Sequence, residues 1–90
     1  GKTVVCKCQT TVNGTSNATT LTMTLPVTAR EAQTGAGFGV GNDNGATLTT
    51  PVRIDLSSTT VATFYTTAGA AGWTGSGGKG VYFILTYEAA

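Results

Sequence analysis

Histidine is missing from this chain, and charge is scarce. Without an imidazole, Ser-His-Asp and Cys-His catalytic arrangements are excluded. With a single pair of cysteines in addition, the usual zinc-ligand sets cannot be assembled. Only four carboxylates are available: Glu31, Asp43, Asp55 and Glu88. Two of them could in principle form a glycosidase pair, but 90 residues leave little room for a sugar cleft as well. Glu31 beside Arg30, and Asp55 two residues from Arg53, read more simply as solvated charges. The expectation is a protein that is not an enzyme and uses no cofactor and no metal.

Charged residues make up 10% of the chain, against about 25% in an average soluble domain. Net charge is +1, and Lys2, Lys7, Arg30, Arg53 and Lys79 are scattered, so there is no electrostatic case for nucleic acid. No apolar run approaches the roughly 18 residues of a membrane span, so membrane insertion is not expected. No apolar segment of signal-peptide type follows Lys2. The first strand opens almost at Gly1, which favours a domain cut from a longer protein over a chain that has lost its initiator Met.

Thr, Ser, Asn and Gln fill the polar role that charge leaves vacant. With 13 glycines and few helix formers, this points to an all-β protein. A chain of 90 residues makes one domain, residues 1–90. Such a chain buries about 60–70% of its extended surface, enough for one core.

Along residues 3–12, Val4, Cys6, Cys8 and Val12 share one strand face, with Val5 the lone apolar residue on the other. Cys6 and Cys8 then lie about 7 Å apart along the strand, a poor disulfide geometry, and read as small buried hydrophobes. Asn13-Gly14 is a reversal signal. Residues 20–27 alternate again, with Leu21, Met23 and Leu25 inward. The two segments are expected to pair as an antiparallel hairpin that Pro26 terminates.

Residues 28–33 are the one helix-compatible patch, too short to be stable alone. In residues 35–41 Gly alternates with larger residues, and Phe38 and Val40 are expected to face the core. Asn42-Asp-Asn-Gly45 is a turn. Val52, Ile54 and Leu56 point inward on the next strand, followed by a strand over residues 60–66. A Gly-rich loop carrying Trp73, the single tryptophan, leads to the densest apolar run, Val81-Tyr-Phe-Ile-Leu. That run reads as a strand covered on both faces, joined through the loop to residues 60–66 as a central strand pair. Six to eight short strands between turn signals argue for an antiparallel β-sandwich of jelly-roll type, with no significant helix.

Several motifs give way to simpler readings. Gly75-Ser-Gly-Gly-Lys79-Gly80 suggests a phosphate loop, but Trp73 stands where the first Gly of that motif belongs, and a strand rather than a helix follows Lys79. Asn42-Asp43-Asn44 suggests calcium, but position twelve of such a loop is Arg53. Asn13 and Asn17 head glycosylation sequons and read as turns. Trp73, Tyr65, Tyr82 and Lys79 remain as candidate ligand or interface residues. For Trp73, interface packing and ligand contact stand level.

Leu21-Thr-Met-Thr-Leu-Pro-Val27, Trp73-Thr-Gly-Ser-Gly and the closing Val81-Tyr-Phe-Ile-Leu-Thr-Tyr-Glu88 resemble the small β-sandwich domains of tailed-phage tail-fibre and other virion appendage proteins. The resemblance implies a jelly-roll-like fold, often a homotrimer, exposed on the particle. It implies a tail-fibre tip or spike that binds a host surface receptor such as a glycan. The alternatives are a capsid decoration or fibre-attachment protein that binds only other virion proteins, and a cellular carbohydrate-binding module. The family supplies no fixed site residues.

Overall fold

A computed structural model describes residues 2–9 and 19–90. The described residues contain seven strands and no helix. They are β1 (Thr3–Gln9), β2 (Leu21–Thr24), β3 (Gln33–Asp43), β4 (Ala46–Thr47), β5 (Val52–Leu56), β6 (Val61–Tyr65) and β7 (Lys79–Glu88). All pairings are antiparallel. The all-β, antiparallel expectation therefore holds. Hydrogen bonds join the strands into one sheet in the order β1-β7-β3-β5-β6-β2, with the short β4 added beside β3.

Alternation decides which residues go inside. On β7, Val81, Phe83, Leu85 and Tyr87 are buried while Tyr82, Ile84, Thr86 and Glu88 are exposed. Val52, Ile54 and Leu56 of β5 face inward as expected, and so do Ala62 and Phe64 of β6. The register then places Val4, Cys6 and Cys8 of β1 opposite Tyr87, Leu85 and Phe83. Both cysteines are half-buried and free. Each fully buried aliphatic or aromatic side chain contributes about 1.5–3 kcal/mol.

The sheet is curled, and glycine explains where. Phe64 on β6 and Phe83 on β7 are separated by β5 and β3 in the sheet order. In a flat sheet three strand spacings of about 4.8 Å would hold them some 14 Å apart, yet their ring centroids are 5.3 Å apart. On β3 the inward positions are Gly37, Gly39 and Gly41, paired with or beside inward residues of β5 and β7. A Cβ at Gly41 would lie 2.5 Å from Val52 Cγ2 and 2.8 Å from Leu48 Cδ1. At Gly39 it would run into the carbonyl oxygen of Tyr82. Over residues 37–41 the central strand thus offers no side chain to the interior, and its flanking strands close over it.

Three sequence expectations are corrected. Phe38 and Val40 point outward, because the crowded side of β3 accepts only glycine. β1 and β2 do not form a hairpin: β1 pairs with β7 and β2 with β6, at opposite edges of the sheet. The proposed turn at Asn13-Gly14 lies outside the described residues. β6 and β7 do not pair either, since β6 lies between β5 and β2.

The short-range turn chemistry is as the residues suggest. Asn44 (φ 52°) and Gly45 (φ 79°) form the two-residue connection of the β3–β4 hairpin, the all-positive-φ arrangement that suits strand twist. Residues 28–32 form a loop. That loop crosses one end of the sheet, where Ala29 bridges Ala89 and the Tyr87 hydroxyl donates to the Val27 carbonyl at 2.6 Å.

Candidate docking surface

The outer surface of the sheet has two unlike halves. Across β5 and β6, the outward residues are Arg53, Asp55, Thr63 and Tyr65. Arg53 Nε donates to Asp55 Oδ1 at 2.9 Å and its terminal nitrogen to Oδ2 at 2.7 Å, a bidentate pair. Arg53 also donates to the Ala68 carbonyl at 2.9 Å, and its guanidinium lies 5.2 Å from the Tyr65 ring centroid.

Asp55 Oδ1 accepts in addition from the Gly35 amide at 2.7 Å. Gly35, at φ 66°, sits where the β3–β5 register shifts, a bulge that a residue with a Cβ adopts only with strain. The Arg53 hydrogen bonds hold the Asp55 carboxyl below the usual carboxylate range, assisted by the Gly35 amide and opposed by burial. Asp55 raises Arg53 in turn. These two charges are therefore a half-buried tie between the β3 bulge, β5 and the Gly-rich loop, and not the freely solvated pair expected from spacing. Arg30 likewise pairs with Glu88 at 3.1 Å rather than with its neighbour Glu31.

Across β1, β7 and β3 the outward residues include five exposed apolar side chains, set among Thr3, Lys7, Thr86 and Glu88. Val5 is 66% exposed, Ile84 60%, Val40 54%, Phe38 52% and Tyr82 40%. Phe38, Val40, Tyr82 and Ile84 are contiguous, and Val5 lies in the next outward row of β1. Val40 pairs with Tyr82, Lys7 with Ile84, and Val5 with Thr86. Lys7, Phe38, Val40, Tyr82 and Ile84 line a single shallow groove. An antiparallel sheet with one face on a core ordinarily turns polar residues to water on the other. This half turns five apolar side chains outward as well. The reading of residues 81–85 as a strand covered on both faces finds its inner cover within the chain and leaves the outer side bare.

The four residues singled out from the sequence do not meet at one site. Trp73 is 3% exposed, and its Nε1–H donates to the Phe64 carbonyl at 2.9 Å. Its amide donates to the Thr19 carbonyl, and Asp43 Oδ2 accepts from both the amide and hydroxyl of Thr74 at 3.0 Å. The Gly-rich loop thus folds Trp73 into the core, which corrects the expectation of a displayed ring. Lys79 is also interior, 3% exposed, with Nζ donating to the Ser76 carbonyl at 3.1 Å. Tyr65 is half-buried beneath Arg53 on the polar half. Tyr82 alone lies on the apolar face.

Sequence reasoning missed Phe38 and Val40 as surface residues. The signal was present in the alternation itself: where glycine alternates with bulky residues in an interior strand, the glycines mark the crowded side. Among the described residues, no three His, Cys, Asp or Glu side chains gather as a metal site. Comparison with known proteins finds no matching family model, no matching curated protein and no matching solved structure.

Proposed function

We propose that this domain is a non-enzymatic structural module that docks on other protein subunits through the outer face of β1, β3 and β7. The observation that supports it is the apolar groove of Phe38, Val40, Tyr82 and Ile84, with Val5 exposed in the next outward row of β1. Patches of this kind on small domains mark interaction sites. The resemblance to virion appendage domains supports a setting in a virus particle, as a decoration or fibre-attachment protein whose partners are other virion proteins. Receptor recognition at a fibre tip is the weaker reading, because Trp73, its best candidate for stacking on a sugar, is inside the core.

A labelled sample of the domain on an immobilised glycan panel separates the two. The docking reading expects no glycan signal above that of an unfolded control. Saturable binding to a defined glycan would overturn it in favour of receptor recognition.

A further inference from the structure

Which protein covers the apolar face can be argued from its size, its charge and its symmetry. Two aromatic side chains about half exposed and three aliphatic ones more than half exposed present on the order of 450 Å² of apolar area, taking an aromatic side chain as about 200 Å². A stable interface of standard size buries about 800 Å² per partner, of which roughly 55–65% is non-polar. The patch therefore supplies about the apolar content that one side of such an interface needs. Its surroundings supply the rim: Thr3 and Thr86 are exposed, and Glu88 and Arg30 meet beyond them.

The charge on the face selects against a strongly acidic or basic partner. Lys7 is the one charged side chain lining the groove, and no carboxylate lines it. A surface that is apolar and almost neutral is matched by another of the same kind, and the nearest example is the same face on another copy. Antiparallel sheets pack face to face with their strands within about 30° of one another. A two-fold axis makes such a contact isologous, patch against identical patch.

We infer that the outer face of β1, β7 and β3 is a two-fold interface with a second copy of this chain, with β7 stacked on β7. The inference rests on the docking reading above. The order of the three strands makes the arrangement specific. β7 lies between β1 and β3. An axis running along β7 places β1 of one copy over β3 of the other. Ile84 meets Ile84, and Lys7 comes over Phe38 of the second copy on both sides of the axis. A lysine over an aromatic face is an attractive contact, and its stem covers apolar surface while its ammonium reaches water. The arrangement thus accommodates the one charge lining the groove twice. It also differs from the three-fold assembly that the resemblance implies, in which two different patches would have to meet.

Light scattering coupled to size exclusion, over about 1 to 100 μM, tests it. The expected result is a particle of twice the 9.0 kDa chain mass that dissociates on dilution. Ile84→Glu is expected to be monomeric throughout, with an unchanged far-ultraviolet circular dichroism spectrum. Should that variant fail to fold, Phe38→Thr and Val40→Thr, which each place a β-branched residue on the strand, are each expected to raise the dissociation constant tenfold or more. A wild-type monomer at the highest concentration, a trimer, or a dimer that survives all three substitutions would overturn the inference. A wild-type monomer that also ignores the glycan panel removes the second copy alone and leaves docking on a different protein standing. Glycan binding removes the docking reading itself.

Discussion

The two halves of the outer surface belong to one sheet and obey one pattern of alternation, yet they meet water in opposite ways. On β5 and β6 the outward positions hold Arg53, Asp55, Thr63 and Tyr65, which satisfy one another and the adjoining bulge and loop. On β1, β7 and β3 they include Val5, Tyr82, Ile84, Phe38 and Val40, which stay largely exposed. Phe38 pairs directly with Arg53, so the boundary runs between β3 and β5. The polar half is finished by its own side chains. The apolar half is the part that a partner would complete.

Trp73 lies beneath both halves. A Cβ at Gly41 on β3 would lie 3.3 Å from its ring, and its indole nitrogen bonds β6. Trp73→Ala is expected to cost about 3–5 kcal/mol, read as a fall in the urea midpoint, with collapse of both halves together. On the polar half, Asp55→Ala leaves Arg53 half-buried without its carboxylate. Breaking a fully buried pair costs about 3–5 kcal/mol. Arg53 keeps the Ala68 carbonyl and the Tyr65 ring and reaches water, so about 2–3 kcal/mol is expected here, measured by the same unfolding curve.

The pH dependence has a definite sign. The Asp55 carboxyl titrates lower in the folded chain than in the unfolded one, where a carboxyl of this type titrates near about 3.9. Its contribution is present above that value and is lost as pH falls through the folded one. Stability is expected to drop below about pH 4, and Asp55→Asn should flatten that drop. A wild-type curve that stays level down to pH 2 would break the polar side of the comparison. The smallest effect belongs to the apolar half. Ile84→Thr should change monomer stability by no more than about 0.5 kcal/mol, measured at a concentration low enough to exclude association. A large loss would mean that Ile84 already has a partner within the chain.

How much of this was legible in the sequence follows from the range of each interaction. Val52, Ile54, Leu56 and the inner row of β7 obeyed a period of two, and Asn44-Gly45 turned the chain by local backbone preference. Those signals reside within a few residues. The pairing of β1 with β7 spans nearly the whole chain, and no turn motif announces it, so a local hairpin signal at Asn13-Gly14 pointed to the wrong partner. Apolarity alone places Phe38 and Val40 on the wrong face. Steric crowding by Tyr82, Phe83 and Val52 decides the parity of β3, and that is a property of neighbours distant in sequence. Trp73 reads as an interface or ligand residue because it sits on a loop. Its hydrogen bonds to Phe64 and Thr19, and the bonds of Thr74 to Asp43, become visible only in three dimensions.

The place of β7 in the sheet also has a consequence in time. β7 is the last of the seven strands, and among the described residues it is the only partner of β1. Roughly seventy residues separate Gln9 from Lys79, so at about 5–20 residues per second the ribosome takes some 4–14 seconds to supply β1 with its neighbour. Through that interval the valine and cysteine side of β1 has no strand to lie against, and β3 lacks one of its flanks. The sheet can close only after β7 has been made.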